Sequence, residues 1–308
     1  MADRTLMLRA GAARASISLQ GGEWRQWSAR GRDLLWTGDP AVWSGVAPIL
    51  FPVVGWTRHG QVRVGDAVYA LGLHGFAGEM EFTVAQRSES CACLVLEDST
   101  RTSALYPFAF RLEVEYRLSP AAMEVALSIE NKHGGPMPYA IGLHPGFLWP
   151  LAGSGDAHQI VFAAPEKPEV PAIAPGGLFS SRRRPVPLDG HMLRLTPDLF
   201  ADEALCFLDI ASRKLLYDNG AGQGLLVTLE NFPHVALWAR PPARFLAIEA
   251  WTGHGDPEDF AGDLFDKPSM VVLEPGAQGR HSARYEFLPD SAQARADLQA
   301  LSHLPKGR

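Results

Sequence analysis

The sequence predicts an all-β protein, a large antiparallel β-sandwich with few short helices. Three observations carry that expectation. Apolar and polar residues alternate with a period of two through much of the chain, as in strands that bury one face. The 30 glycines and 24 prolines mostly punctuate those runs, where they set turns and interrupt helices. Convincing helical periodicity is nearly absent before residue 291, and without helices between strands a parallel α/β sheet has no crossovers to build from.

Taken in order, RASISL (14–19), QVRVGDAVYAL (61–71), EFTVAQ (81–86) and CLVLED (93–98) read as strands. RLEVEYRL then puts Leu112, Val114, Tyr116 and Leu118 on one face and Arg111, Glu113, Glu115 and Arg117 on the other. After the break SPAA, MEVALSIEN repeats the pattern with Met123, Val125, Leu127 and Ile129. Strand, short turn and strand make an antiparallel hairpin with one solvated face. The region 152–200, with APEKPEVPAIAPGG and SRRRPVPLDG, reads as long loops on the sandwich. ALCFLDI, GLLVTLEN, HVALWAR, RFLAIEAW and ARYEF complete the strands. In SAQARADLQALSHL, Ala294, Leu298 and Leu301 fall at i, i+4 and i+7, a helical stripe. With no linker and no internal repeat, residues 1–290 form one sandwich domain, and 291–308 are a C-terminal extension, helical or frayed.

Composition excludes several classes. The chain of 308 residues is 46% hydrophobic, 20% charged and has a mean hydropathy of −0.04, enough apolar material for a large core. A net charge of −6 and pI near 5.9 disfavour a nucleic acid or an anionic membrane as partner. No apolar run approaches the ~18 residues of a membrane span, and arginines interrupt the N-terminal segment where a secretory signal needs an apolar core. Cys91, Cys93 and Cys206 are odd in number and lack a Cys-x-x-Cys spacing. They read as small hydrophobes in a reducing cytoplasm.

Four segments set a polar residue among glycine, proline and aromatics: FPVVGWTRHG, GLHGFAGE, IGLHPGFLWPL and FLAIEAWTGHGD. They supply Arg58, His74, His144 and Glu249. Taken alone, His74 fits a turn-bonding histidine as well as a site residue, and His144 fits a core residue, a metal ligand or an acid/base. Glu249 is sharper. It interrupts FLAIEAW, and a carboxylate in an apolar strand is costly to bury unless paired or put to use.

Other chemistries find no motif. There is no H-E-x-x-H pair for zinc, and the acidic run His254–Asp266 lacks EF-hand spacing. No G-x-S-x-G elbow marks a serine hydrolase, and no glycine-rich loop precedes a helix. Arg182–Arg184 read as an exposed loop. Acid/base catalysis on a sugar, with no metal and no cofactor, does fit. Opening an aldose ring needs a base for the anomeric hydroxyl and an acid for the ring oxygen, roles for which glutamate and histidine are suited. A second histidine and an arginine can donate to sugar oxygens. Phe76, Phe147 and Trp251, beside the polar residues, offer flat surfaces for a sugar.

The segments APILFPVVGW, LHGFAGEMEF, YPFAFRLEVEYRL, MPYAIGLHPGFLWPL and FLAIEAWTG…KPSMVVLEPGA resemble, in order and spacing, the aldose 1-epimerase (galactose mutarotase) family, in its divergent bacterial branch. The resemblance spans about residues 7–288. It implies a galactose mutarotase-like supersandwich, an open sugar cleft and no cofactor. By position, Glu249 matches the general base, His144 the general acid, His74 the second active-site histidine and Arg58 a sugar-binding arginine. Asp202 matches a substrate-binding aspartate, with Asp209 as competitor. The sequence departs from the pattern at Gly78, where relatives carry arginine, at Ala250 in place of proline and at Trp56, where arginine is frequent. The expectation is a cytoplasmic sugar mutarotase, monomer or homodimer, whose partner is a small-molecule sugar. The alternatives are a hexose-6-phosphate 1-epimerase, with Arg182–Arg184 or Arg240 and Arg244 as phosphate clamp, and a non-catalytic carbohydrate-binding protein.

Overall fold

Ten strands, each antiparallel to its neighbours, form the larger sheet of the computed structural model, which describes residues 4–153 and 157–302. In spatial order they are Leu188–Asp189, Met192–Arg194, Gln159–Phe162, Lys214–Asp218, Gly224–Glu230, Gln278–Leu288, Ala122–Asn131, Phe110–Leu118, Cys91–Glu97 and Thr83–Arg87. The hairpin read from alternation is at its centre. Leu112 opposes Ile129, Val114 opposes Leu127, Tyr116 opposes Val125 and Leu118 opposes Met123, and all eight are buried. Period-two alternation puts cross-strand partners on the same face, so one register places all eight side chains, in four pairs, in the core together.

A second, six-stranded sheet packs against this face. It runs Leu205–Phe207, His234–Trp238, Phe245–Trp251, Gly142–Leu143 and Ile49–Leu50, with Gly146–Leu148 also paired to Phe245–Trp251. The aromatic ring of Phe147 lies 5.3 Å from Tyr285 of the larger sheet, and Phe51 lies 4.9 Å from Phe110. These contacts join the two sheets into the expected sandwich. One face of the smaller sheet thus belongs to the core, while the other carries Glu249. A four-stranded meander over 5–33 covers one flank, with Trp24 wedged against Phe147 and Tyr285.

Two local expectations are corrected. The region 152–200 is not merely loop: it contributes three strands at one edge of the large sheet and the ribbon Glu169–Ile173 with Phe179–Pro185. Its prolines are compatible with edge positions, where fewer ladder hydrogen bonds are needed. QVRVGDAVYAL is two strands, Gln61–Val64 and Ala67–Ala70, because Gly65 takes φ +59° and turns the chain back. At the C-terminus, Ala292–Ser302 is a helix. Leu298 anchors it against Val161 and Leu216, and Arg295 pairs with the buried Asp218. Leu301 is exposed, and the pattern beyond Ser302 lies outside the described residues.

Candidate active site

The strand Phe245–Trp251 sets the site through its alternation. Leu246, Ile248 and Ala250 belong to the main core cluster, which gives Glu249 the opposite face. Leu143 pairs with Ala250 and Gly146 pairs with Ala247. Two residues intervene on each strand, so His144 falls opposite Glu249 and Pro145 opposite Ile248. Proline has no N–H to give the ladder, but its carbonyl still accepts from the Ile248 N–H at 3.1 Å. The result is a direct contact, His144 Nε2 to Glu249 Oε2 at 3.2 Å, with both side chains buried.

His74 reaches the same place from a different part of the chain. It holds φ +62°, a strained conformation for a non-glycine residue. Clamping by the segment 51–55 stabilises it. The His74 N–H donates to Gly55 O at 3.0 Å, His74 O accepts from Phe51 N at 3.2 Å, and the Gly55 N–H donates to His74 Nδ1 at 3.1 Å. The next residue, Gly75, has φ +71°, and a Cβ there would collide with the Phe51 carbonyl. With Nδ1 accepting, the neutral ring carries its proton on Nε2. The ring meets His144 edge-on at 5.6 Å between centroids.

Burial dominates the electrostatics. It lowers the pKa of His74 to about 4. His144 is pushed well below its ordinary value by burial, with the neighbouring His74 adding to the shift. Glu249 is pushed well above the ordinary carboxyl value by burial, opposed by a hydrogen bond from Trp251. Desolvation therefore drives the His144–Glu249 pair toward its neutral forms, with one proton held between the two. His144 Nδ1 is buried without a hydrogen-bond partner.

Trp251 corrects one expectation. Its indole Nε1–H donates to Glu249 Oε2 at 3.1 Å, and the side chain is buried, leaving little face for a sugar. The indole lies over Gly142, where a Cβ would come within 2.8 Å of Trp251 Cδ1. Removing this donor withdraws a bond that favours the carboxylate. Trp251→Phe is therefore expected to move the pH limb that reports Glu249 deprotonation to higher pH, read from kcat/KM across pH. Gly142→Ala, which crowds the indole, should move that limb the same way.

Phe76 and Phe147 were expected to line the cleft and do not. Phe147 pairs with Leu246, so it shares that residue's core-facing side, and it is fully buried. Phe76 packs among Phe51, Tyr106 and Phe110. The aromatics beside the pair are instead Trp43 and Trp238, centred 4.9 and 5.7 Å from the His144 ring and both partly exposed. Trp238 stands opposite Ala247 on the Glu249 face. Trp43 comes close because Gly146 has no side chain, a Cβ there falling 2.7 Å from Trp43 Cζ3. Sequence alternation could have nominated Trp238, but Trp43 lies in a segment without periodicity.

The remaining candidates lie apart from the pair's bonds. Arg58 donates to Phe260 O at 3.3 Å and lines a separate cavity, which corrects its reading as a sugar ligand. Asp202 is exposed and accepts Arg184 through its backbone carbonyl at 2.9 Å. The Asp209 carboxylate is exposed, 3.8 Å from His234 Nδ1. Arg184 is occupied by the carbonyls of residues 202–204 and Arg240 by Val42 O. Ala250 faces the core, so its departure from the family pattern does not touch the cleft. Cys206 sits in the row Glu249–Ala236–Cys206 across three strands, and burial and the Glu249 charge raise its thiol pKa. Among the described residues, no group of three or more histidine, cysteine, aspartate or glutamate side chains could hold a metal ion.

The fold is a β-sandwich, and its site pairs a buried histidine with a buried glutamate. Residues 4–286 match the family model described as aldose 1-epimerase, and the chain belongs to the aldose 1-epimerase family. It is 30% identical over 258 residues to the chromosomal LacX protein of Lactococcus lactis subsp. lactis, covering 80% of this chain and 86% of that one. A galactose mutarotase-like protein from Lactobacillus casei superposes with a TM-score of 0.86 at 25% identity, over 92% of this chain and all of that one. A galactose mutarotase related enzyme from Lactobacillus acidophilus gives 0.85 at 25% identity, over 93% and 98% of the two chains. No helix among the described residues is long and apolar enough to cross a membrane.

Proposed function

We propose that this chain is a mutarotase that interconverts the α and β anomers of an aldose. The observation that carries this reading is the 3.2 Å contact between His144 Nε2 and Glu249 Oε2. In an aldopyranose the anomeric hydroxyl and the ring oxygen are both bonded to C1. The base and the acid for ring opening must therefore be close neighbours, as these two groups are. Once the proton that the pair shares moves onto His144, Glu249 as carboxylate takes the hydroxyl proton while His144 as imidazolium delivers one to the ring oxygen. The bond between C1 and the ring oxygen breaks to leave an aldehyde. Rotation about C1–C2 presents the other carbonyl face, and reclosure with the two roles reversed yields the opposite anomer with no net proton change.

His74 Nε2–H donates to a sugar oxygen in this scheme, and the partly exposed faces of Trp43 and Trp238 take the apolar C–H face of the ring. The water-poor surroundings of the pair strengthen its electrostatics. A cytoplasmic setting is in keeping with the three free thiols Cys91, Cys93 and Cys206. Saturation-transfer NMR on a panel of aldoses, neutral and phosphorylated, tests the reading. At least one aldose should exchange anomers faster than its buffer rate in proportion to enzyme. Binding of a sugar with no acceleration for any aldose would instead assign a non-catalytic carbohydrate-binding protein.

A further inference from the structure

A cavity of about 150 Å3 lies where Arg58, His59 and Arg63 face Asp256, Phe260 and Lys267. None of His74, His144 or Glu249 lines it. Lys267 is buried and pairs with Asp256, whose other oxygen accepts the Arg58 backbone N–H at 2.8 Å. Among the described residues of the wall the one carboxylate, Asp256, is thus ion-paired and both its oxygens are engaged. Arg58 uses a single guanidinium bond, from Nη1 to Phe260 O at 3.3 Å, which leaves most of its five donors unspent. The side chains of Arg63 and His59 are exposed and have no hydrogen bond or ion pair among the described residues. Two arginines with uncommitted forks therefore face one cavity, in a protein whose net charge is −6.

Like charges gathered at one concavity repel, and a tetrahedral oxyanion relieves that repulsion. Arginine forks match its oxygens in pairs. Taking about 30 Å3 as the share of one water, the space admits a phosphate-sized ion with some of its hydration. We propose that this cavity is an anion site, distinct from the sugar cleft, which takes phosphate or the phosphate group of a small phosphomonoester through Arg58 and Arg63. The site stands independently of the mutarotase reading, since it uses no residue of the His144–Glu249 pair.

Titration with inorganic phosphate at low ionic strength, followed by calorimetry, tests the site. The wild-type protein should bind phosphate saturably with one equivalent. Arg63→Gln, an exposed position whose loss breaks no bond, should weaken binding at least about tenfold, and Arg58→Gln should do the same. Glu249→Gln should bind phosphate as wild type, and Arg63→Gln should exchange anomers as wild type. Absence of saturable binding, unchanged binding in Arg63→Gln, or loss of binding in Glu249→Gln would each overturn the assignment; the last would place the anion in the cleft. Titrating methyl phosphate in parallel separates the two sources: a tighter ester indicates a phosphomonoester ligand, and an equal or weaker one indicates free phosphate, either outcome supporting the site.

Discussion

Glu249→Gln is expected to slow anomer interconversion by about 10³-fold, within the range that general acid/base groups contribute, while the protein stays folded. The amide has the size of the carboxyl it replaces and still offers an oxygen to the Trp251 indole, which now donates to Glu249 Oε2 at 3.1 Å. What it cannot do is accept the anomeric proton. The buried site already favours an uncharged side chain, since burial pushes the Glu249 pKa well above 4.5. The sign of the linkage follows. Above pH 4.5 the unfolded chain releases this proton while the native chain retains it, so the native state binds more protons and wild-type stability falls as pH rises through that window. Glutamine removes this slope. The melting temperature of Glu249→Gln relative to wild type should therefore increase from pH 4.5 upward, at the same time as activity disappears. A variant that exchanges anomers within threefold of wild type would remove Glu249 from the reaction.

The loss of activity with gain of stability distinguishes a working carboxyl from a structural one. A structural buried carboxyl is held by donors that outweigh its desolvation, and truncating it costs stability. Glu249 has one indole donor and one imidazole, and burial still prevails. A sandwich that keeps such a group on an apolar strand retains a local instability at the position where a proton acceptor is needed.

The strands were legible because alternation reports one-sided burial directly. Leu112 to Leu118 and Met123 to Ile129 could be assigned to a core face from spacing alone, and all eight apolar side chains are buried. Which face of a short strand meets the cleft was not legible. Phe147 and Glu249 both sit in apolar motifs, but the register Phe147–Leu246 sends the first to the core, and register is a property of two strands about 100 residues apart. Trp43 was invisible for another reason, since its place over His144 depends on a missing side chain at Gly146. Arg58 was read by motif position, whereas its guanidinium donates to Phe260 O. The resemblance to aldose 1-epimerases supplied the association of His74, His144 and Glu249 that no local pattern could. The physical reason for it, His144 standing opposite Glu249 in a ladder resumed after Pro145, appeared only with the strand pairing.

His144→Ala is expected to lower the turnover rate by about 10²-fold with a smaller change in KM, because the lost interaction belongs to the transition state. His144 is packed by Trp43 at 4.9 Å, His74 at 5.6 Å and Trp238 at 5.7 Å, so the substitution also opens a ring-sized space beside Glu249. Added imidazole can enter that space and protonate the ring oxygen in its place. Part of the rate should return with imidazole concentration, and should return more strongly at lower pH, where more of the added base is imidazolium. The stability of the wild type sharpens the contrast. The folded pKa of His144 lies below its unfolded value of 6.5, so below pH 6.5 the unfolded chain takes up a proton the native chain resists, and wild-type stability falls with falling pH. The alanine variant loses that contribution, so its melting temperature should depend less steeply on pH between 6.5 and the acid limit. A histidine that only filled space would give a variant rescued by no imidazole and restored by an isosteric apolar side chain. A proton donor gives the reverse, a variant that phenylalanine cannot restore and imidazole can.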